Sequence, residues 1–177
     1  MGVVNCMSKP PVYCFSTMEN VKGAILALGL GNTLLSDEAV GVRVIEALSS
    51  HPKALPLGLK PLDGGTVGLS LLVEMEDAGA LVIVDAAELD EPPGTVKVFR
   101  EEAMDRFLRH RGRSPHDIGL DDLLDALRLR GAIPGCRALV AVQPDVLTIG
   151  REMTAQVAAS VPTAVEAVID IAQGWQE

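Results

Sequence analysis

The chain has 177 residues, of which 48% are hydrophobic, and it carries a formal net charge of −9 at pH 7. This length is typical of a single domain with a sizeable core, and the hydrophobic content excludes a wholly disordered chain. The acidic balance, without a dense run of lysine or arginine, argues against nucleic acid as a partner.

Cysteine use and hydropathy predict a cytoplasmic protein. Cys6, Cys14 and Cys136 are an odd number at no metal-like spacing, which argues against a disulfide framework and favours a reducing compartment. No apolar run approaches the roughly 18 residues of a membrane span, so we expect no membrane partner. Residues 1–20 lack the apolar core of a secretory signal. We interpret them as a disordered or non-native extension before one α/β domain over residues 21–177.

Short apolar runs alternate with helical patterns along the chain. In chain order they predict strand 24–28, helix 37–49, strand 59–62, helix 67–77, strand 80–84, strand 95–99, helix 101–108, a helix from 114 to 131, strand 138–142 and helix 161–173. The strand at 95–99 alternates apolar and polar residues, which favours an antiparallel edge position. We therefore expect a three-layer α/β fold: a mostly parallel, twisted, five-stranded sheet with one antiparallel edge strand and helices on both faces.

Local signals mark the beginnings of two of these helices. Ser36 is expected to cap the first helix. Gly41 lies inside that helix, where close backbone packing would compensate for its low helix propensity. Ser114 and Asp117 resemble a capping box at the start of the helix that contains His116.

Polar groups follow the carboxyl ends of four strands. The first strand leads into Gly29 to Asn32, the second into Asp63-Gly64-Gly65-Thr66, the third into Asp85 and the last into Gln143. Because the carboxyl ends of parallel strands lie at one edge of a sheet, these groups should converge on one crevice.

Two carboxylates near this edge admit two interpretations each. Glu38 lies in the first turn of a helix, where an acid stabilises the helix dipole whether or not it has another role. Asp85 ends an apolar strand and is followed by two alanines. A carboxylate there is costly unless it is paired, hydrogen-bonded or metal-bound, which favours a functional role over a capping role.

His116 is the third candidate, since His51 and His110 fall in apparent loops. The positive end of a helix favours neutral imidazole, the form that binds metal, although a histidine that packs beside the cap fits equally well. Together Glu38, Asp85 and His116 would form a ligand set of two oxygens and one nitrogen with open positions, suited to nickel or zinc.

Other chemistries have less support. Gly29-x-Gly31 lacks the third glycine of a dinucleotide fingerprint, because Leu34 stands there. Neither an HExxH zinc motif nor a GxSxG nucleophile elbow is present. Cys136 precedes the last strand and so lies at the opposite edge of the sheet, which argues against a nucleophilic role.

A set of short motifs runs in order through about residues 22–173. They are Gly29-x-Gly31-Asn32-x-Leu34-Leu35-x-Asp37-Glu38-x-x-Gly41-Val42-Arg43, Asp63-Gly64-Gly65-Thr66, Ile83-Val84-Asp85-Ala86, Ser114-Pro115-His116 and Gln143-Pro144. This ordered set resembles the maturation endopeptidases of nickel–iron hydrogenases.

The resemblance implies an aspartic-type endopeptidase that removes a C-terminal peptide from the hydrogenase large subunit once nickel has been inserted. It implies that Glu38, Asp85 and His116 bind metal, and that the nickel is supplied by the substrate's cysteines rather than held permanently. Either Asp85 or Glu38 would be the general base. The substrate tail would be bound by Asn32, Asp63, Gly64, Gly65 and Gln143.

Two other functions stay open at this point. Peptidyl-tRNA hydrolases also carry a Gly-Leu-Gly-Asn stretch, but there Pro-Gly follows, whereas Thr33-Leu34 follows here. The second open function is that of a nickel-sensing accessory protein, which would recognise the loaded subunit without cutting it.

Overall fold

The computed structural model describes residues 23–66, 68–110, 119–150 and 152–177, and within them one five-stranded sheet has the order β2-β1-β3-β5-β4. The strands are β1 (Ile25–Leu30), β2 (Leu59–Gly65), β3 (Ala80–Ala86), β4 (Val96–Arg100) and β5 (Arg137–Val142). All neighbouring strands are parallel except β4, which pairs antiparallel with β5 at one edge. The predicted sheet is therefore confirmed.

Helices cover both faces of this sheet, which gives the predicted three layers. They are α1 (Val40–Ser49), α2 (Leu71–Glu76), α3 (Glu101–His110), α4 (Leu120–Leu129) and α5 (Ala155–Gly174). α1 and α5 pack on one face, where Val44 and Val168 are buried. α2, α3 and α4 pack on the other, where Met75, Met104 and Leu123 are buried. Because strand side chains alternate between faces, the sheet contributes to both cores.

The first helix begins differently from the prediction. A 3₁₀ turn, Ser36–Ala39, precedes α1, and Ser36 makes no capping hydrogen bond. Its hydroxyl instead donates to the carbonyl oxygen of Val146 at 2.5 Å and accepts from the Thr148 amide at 3.0 Å. The predicted N-cap was wrong because a partner about 110 residues away takes the hydroxyl.

Gly41 brings α1 directly onto the sheet. A Cβ atom at this position would overlap the carbonyl oxygens of Leu30 and Val84, which are backbone atoms of β1 and β3. The predicted close packing at Gly41 is confirmed. It fixes the height of α1, and of the turn before it, above the two central strands.

The last helix begins at Ala155 rather than at residue 161. Pro162 lies inside α5, where the helix forgoes one backbone hydrogen bond. The longer helix reaches the length of a membrane span, although it is not an uninterrupted apolar run, since Glu166 and Asp170 lie within it. Among the described residues, α5 alone has that length and apolarity, with a mean hydropathy of 1.3. Core helices meet the same criteria, and the buried face of α5 packs on the sheet.

Several other boundaries differ by a few residues. β2 continues to Gly65 because it keeps pairing with β1 beyond residue 62. α2 is shorter than the predicted 67–77. α4 begins at Leu120, and the Gly119 amide before it donates to the Asp122 carboxylate at 2.8 Å. The capping box predicted at Ser114 and Asp117, and the interpretation of residues 1–20, lie outside the described residues.

Candidate active site

A crevice of about 690 Å³ opens at the carboxyl edge of the parallel strands. Segments that follow β1, β2, β3 and β5 meet there, as the parallel topology predicts. Its lining residues include Gly31, Glu38, Gly65, Thr66, Asp85, Glu88, Asp90, Phe107, His110 and Leu147. The site is thus assembled from segments that are far apart in the chain.

Glu38 reaches the crevice because the loop after β1 folds back tightly. Gly31 adopts a φ of 138°, which side chains rarely allow, and its amide donates to the carbonyl oxygen of Gly65 at 2.8 Å. A Cβ atom on Gly31 would overlap the backbone oxygen of Glu38. The glycine therefore permits the close approach that brings the 3₁₀ turn, and Glu38 with it, to the sheet edge.

Asp85 lies near the end of β3, which is flanked by β1 and β5. Its side chain and that of Glu38 line the same crevice. Burial, together with the negative charge of Asp85, raises the pKa of Glu38 above its ordinary value. Two carboxylates held this way attract a proton or a cation, because either one relieves their repulsion.

His116, the third predicted ligand, lies outside the described residues, so the three-ligand set stays a prediction. Within the part of the chain that the structure describes, no group of three histidine, cysteine or acidic side chains is arranged to hold a metal ion. Glu38 and Asp85 together offer carboxylate oxygens, which are ligands for divalent metals. A metal bound there would require further ligands from His116 or from a bound partner.

His110 is a site residue that the sequence reading assigned to a loop. It is the last residue of α3 and lines the crevice beside Phe107. Its Nδ1 lies 2.6 Å from the carbonyl oxygen of Arg106. Because a carbonyl oxygen only accepts, Nδ1 is the donor in this contact. Residues 107 and 110 are three apart and so lie on the same face of α3, and this helical spacing is the sequence signal that could have placed His110 at the site.

The turn at the end of β2 is shaped by its own backbone contacts. The Asp63 carboxylate accepts from the Gly65 amide at 2.8 Å, and Gly65 lines the crevice. A Cβ atom at Gly64 would contact the side chains of Leu28 and Leu30. Of these three residues predicted to bind substrate, Gly65 lies at the crevice wall, while Asp63 and Gly64 hold the turn in place.

Asn32 and Gln143, the other two residues predicted to bind substrate, also contact backbone within the chain. The Asn32 side chain accepts from the Leu34 amide at 3.0 Å. Gln143 is 5% exposed; its oxygen accepts from the Leu89 amide at 2.7 Å and its nitrogen donates to the Pro144 carbonyl oxygen at 3.0 Å. Gln143 thereby fixes the loop that carries two acidic lining residues. Substrate binding by Asn32 and Gln143 stays a prediction.

Asp37 has a role that the sequence reading missed. Its carboxylate is fully buried and accepts from the amides of Asp145 and Val146, each at 2.9 Å, and from the amide and hydroxyl of Thr154 at 2.6 and 3.0 Å. Burial acts to raise the pKa of Asp37, but these hydrogen bonds outweigh it and hold the pKa below its ordinary value. No local sequence signal could have found donors more than 100 residues away.

The crevice is strongly acidic. Four carboxylates line it, those of Glu38, Asp85, Glu88 and Asp90, and the described lining includes no lysine or arginine. A concave surface lined by one sign of charge concentrates ions of the other sign. The site is therefore suited to a cation, or to a polypeptide segment that carries one.

Cys136 lies away from this chemistry, as predicted. It directly precedes β5 and therefore lies at the amino-terminal edge of the sheet, opposite the crevice. Burial raises the pKa of the Cys136 thiol, and the negative charge of Glu101 raises it further. The thiol is thus poorly suited to nucleophilic attack.

Comparison with known proteins identifies the family. A family model described as hydrogenase maturation protease matches residues 42–171. The hydrogenase 2 maturation protease of Escherichia coli strain K12 is 41% identical over 146 residues, which cover 82% of this chain and 88% of that protein. The structure of the hydrogenase maturating endopeptidase HybD from E. coli matches with a TM-score of 0.75 at 38% identity, over 85% of this chain and 93% of that one. The [NiFe] hydrogenase maturation protease HybD from Thermococcus kodakarensis matches with a TM-score of 0.69 at 26% identity, over 84% and 99%. The chain belongs to the hydrogenase maturation protease family.

Proposed function

We propose that this chain removes the C-terminal peptide of a nickel–iron hydrogenase large subunit after nickel has been inserted. Membership in the family supplies the reaction class, which is peptide hydrolysis. The observation that carries the proposal is the pair Glu38 and Asp85, which approach each other in one acidic crevice from different segments of the chain. We further propose that the reaction takes place in the cytoplasm, without membrane or nucleic acid.

The nickel in this proposal belongs to the substrate. Glu38 and Asp85 bind it through carboxylate oxygens and His116 through imidazole, while the client's own thiolates keep the remaining positions. The acidic lining favours the approach of a cation. A client without nickel would not neutralise the repulsion between the two carboxylates and would lack the ion that joins it to them. Its tail would therefore bind more weakly in the crevice.

Hydrolysis requires a base, and a carboxylate of this pair is suited to the task. The raised pKa of Glu38 makes it a stronger base than an ordinary glutamate. In the proposed reaction, Glu38 or Asp85 takes a proton from water, and the water oxygen attacks the scissile carbonyl carbon. The peptide C–N bond then breaks as the same carboxyl group gives the proton to the leaving amine nitrogen. The turn at Gly65 and the loop fixed by Gln143 shape the surface along which the client tail lies.

The test is incubation of the purified protein with its large-subunit precursor, prepared with and without nickel. We expect the mass of the nickel-loaded precursor to fall by that of a C-terminal peptide, while the nickel-free precursor keeps its full mass. Glu46→Gln is the matched control for substitutions of the site carboxylates Glu38 and Asp85, because Glu46 pairs with Arg43 on the exposed side of α1. A complex with loaded precursor that never changes mass would contradict the protease and support a nickel-sensing accessory protein. Release of the peptide from nickel-free precursor would contradict the proposed recognition of nickel and would still support the proposed protease activity.

A further inference from the structure

Two adjacent side chains join the loop after β5 to the turn that carries Glu38. We call this set of contacts the clasp: Ser36 and Asp37 on one side, and residues 145–149 with Thr154 on the other. Ser36 bonds to Val146 and Thr148, and the backbone amide of Asp37 donates to the Val146 carbonyl oxygen at 3.3 Å. The Asp37 carboxylate accepts the four hydrogen bonds described above. An antiparallel bridge between residues 35 and 149 extends the contact.

The clasp diverts a group that would otherwise cap the longest helix. Thr154 is the N-cap residue of α5, yet its hydroxyl makes no capping hydrogen bond. It donates instead to Asp37, as does its amide. A capping hydroxyl in its usual role contributes to helix stability. Asp37 therefore connects the beginning of α5 to the beginning of α1.

The clasp lies directly behind two walls of the crevice. Asp37 immediately precedes Glu38, and Val146 immediately precedes Leu147, while Glu38 and Leu147 both line the crevice. Leu147 is 57% exposed although its neighbours are held by buried polar contacts. The spacing between an acidic wall and an apolar wall is thus set by one buried carboxylate.

We propose that Asp37 is a positioning residue for peptide hydrolysis, which holds Glu38 and Leu147 at the spacing that the client's scissile segment requires. The inference rests on the proposed function. Asp37 contacts no substrate, since it is buried behind the wall. Glu38 depends on it for position, because the 3₁₀ turn has no capping side chain of its own.

Substitutions can remove parts of the clasp in graded steps. Asp37→Asn keeps the size of the side chain but replaces one of its two accepting oxygens with an NH₂ group. This NH₂ group would face the N–H or O–H donors of the clasp, so the hydrogen bonds to that oxygen are lost. Thr154→Val removes only the hydroxyl contact and keeps the amide contact. Thr154→Ser keeps both. Asp105→Asn is a matched control, since Asp105 is another buried carboxylate with several donors but lies beside Arg137, at the opposite edge of the sheet.

The experiment measures kcat and KM for nickel-loaded precursor, at a temperature where every variant is folded by circular dichroism. We expect Asp37→Asn to lower kcat by about 10- to 100-fold, because a misplaced base loses its alignment. Thr154→Val should lower kcat by about two- to fivefold, and Thr154→Ser should keep the wild-type value. Asp105→Asn should lose stability while the folded protein keeps its kcat. An Asp37→Asn protein that loses stability and keeps wild-type kcat would overturn the inference.

A second readout is independent of cleavage. Amide hydrogen exchange of Asp145 and Val146 should accelerate by at least about tenfold in Asp37→Asn, while the amides of β1 and β3 keep wild-type rates. Unchanged exchange at these two amides would also overturn the inference. Failure of the proposed function would appear differently, as a loaded precursor that the wild-type protein leaves uncut.

Discussion

Glu38 and Asp85 lie in one crevice, where burial and then the negative charge of Asp85 raise the pKa of Glu38. The two residues come from segments associated with adjacent parallel strands, β1 and β3. Neither residue is near the other in the sequence. The contact exists because Gly31 and Gly41 let the backbone of the β1–α1 connection press against the sheet. A steric property of two glycines thus leads to the electrostatic property of the site.

Glu38→Gln should abolish most activity without loss of stability. We expect cleavage of loaded precursor to fall by about 100-fold or more, since a general base contributes that much. The pKa of Glu38 is raised in the folded state, so its charged form costs stability once the pH exceeds the unfolded pKa. At pH 7 the variant should therefore melt at or above the wild-type temperature, and the difference should close in acid. Wild-type cleavage by Glu38→Gln would eliminate it as the base.

Asp85→Asn tests the coupling of the two carboxylates. Removal of the negative charge should lower the pKa of Glu38, which carboxyl-carbon NMR titration measures directly, and burial alone should keep part of the shift. Cleavage should fall by about 100-fold or more. An unchanged Glu38 titration would mean that the two groups do not interact across the crevice. Glu46→Gln again provides the control, with both properties expected at wild-type values.

Asp105 should govern stability in acid. Burial acts to raise the pKa of Asp105, but the hydrogen bonds and charges of Arg137 and Arg128 outweigh it and lower the pKa. An acid with a lowered folded pKa contributes stability above its unfolded pKa, near 3.9, and loses it as the pH falls through the folded pKa. Asp105→Asn should cost about 3 kcal/mol at pH 7, measured by urea unfolding. This cost should shrink below about pH 4.

The exposed pair on α1 gives the contrast for that measurement. Arg43 and Glu46 are each more than half exposed, so Glu46→Gln should change the unfolding free energy by less than about 0.5 kcal/mol at any pH. A cost for Asp105→Asn that stays constant between pH 7 and pH 3 would show that its charge is not the source of the stability.

Gly41→Ala tests the packing of α1 on the sheet. The added methyl group would meet backbone oxygens of both β1 and β3, which cannot move aside as a flexible side chain can. We expect a loss of about 3 kcal/mol in unfolding free energy and a fall in cleavage, since Glu38 moves with the helix.

Gly174→Ala is the matched control for this substitution. Gly174 is also helical, in the last turn of α5, and a methyl group there meets no atom within 4 Å. It should be neutral or stabilise by up to about 1 kcal/mol. Equal effects of the two substitutions would contradict the packing argument.

The sheet could be predicted because its signal is local. Residues 80–84 and 138–142 are short apolar runs of the length and composition typical of buried strands, and the edge strand is indicated by its alternation of apolar and polar residues. The shared position of Glu38 and Asp85 followed from the rule for parallel strands. These features require no knowledge of distant contacts.

The clasp and the beginning of α5 could not be predicted, because their causes are not local. Ser36 reads as a cap, and only the distant residue 146 shows why it is not one. The last helix was predicted to begin at residue 161, yet Thr154, which is hydrogen-bonded to Asp37, begins it earlier. His110 was misread as a loop residue because α3 extends beyond its predicted end.

The hydrogen bonds from Asp145, Val146 and Thr154 to Asp37 have a consequence for synthesis on the ribosome. The first wall of the crevice is translated early, but the donors that align it are added only when about five-sixths of the chain has been made. A nascent or C-terminally truncated chain would therefore carry Glu38 and Asp85 without their alignment. The turn that carries Glu38 would be completed only once the residues from Asp145 to the beginning of α5 are in place.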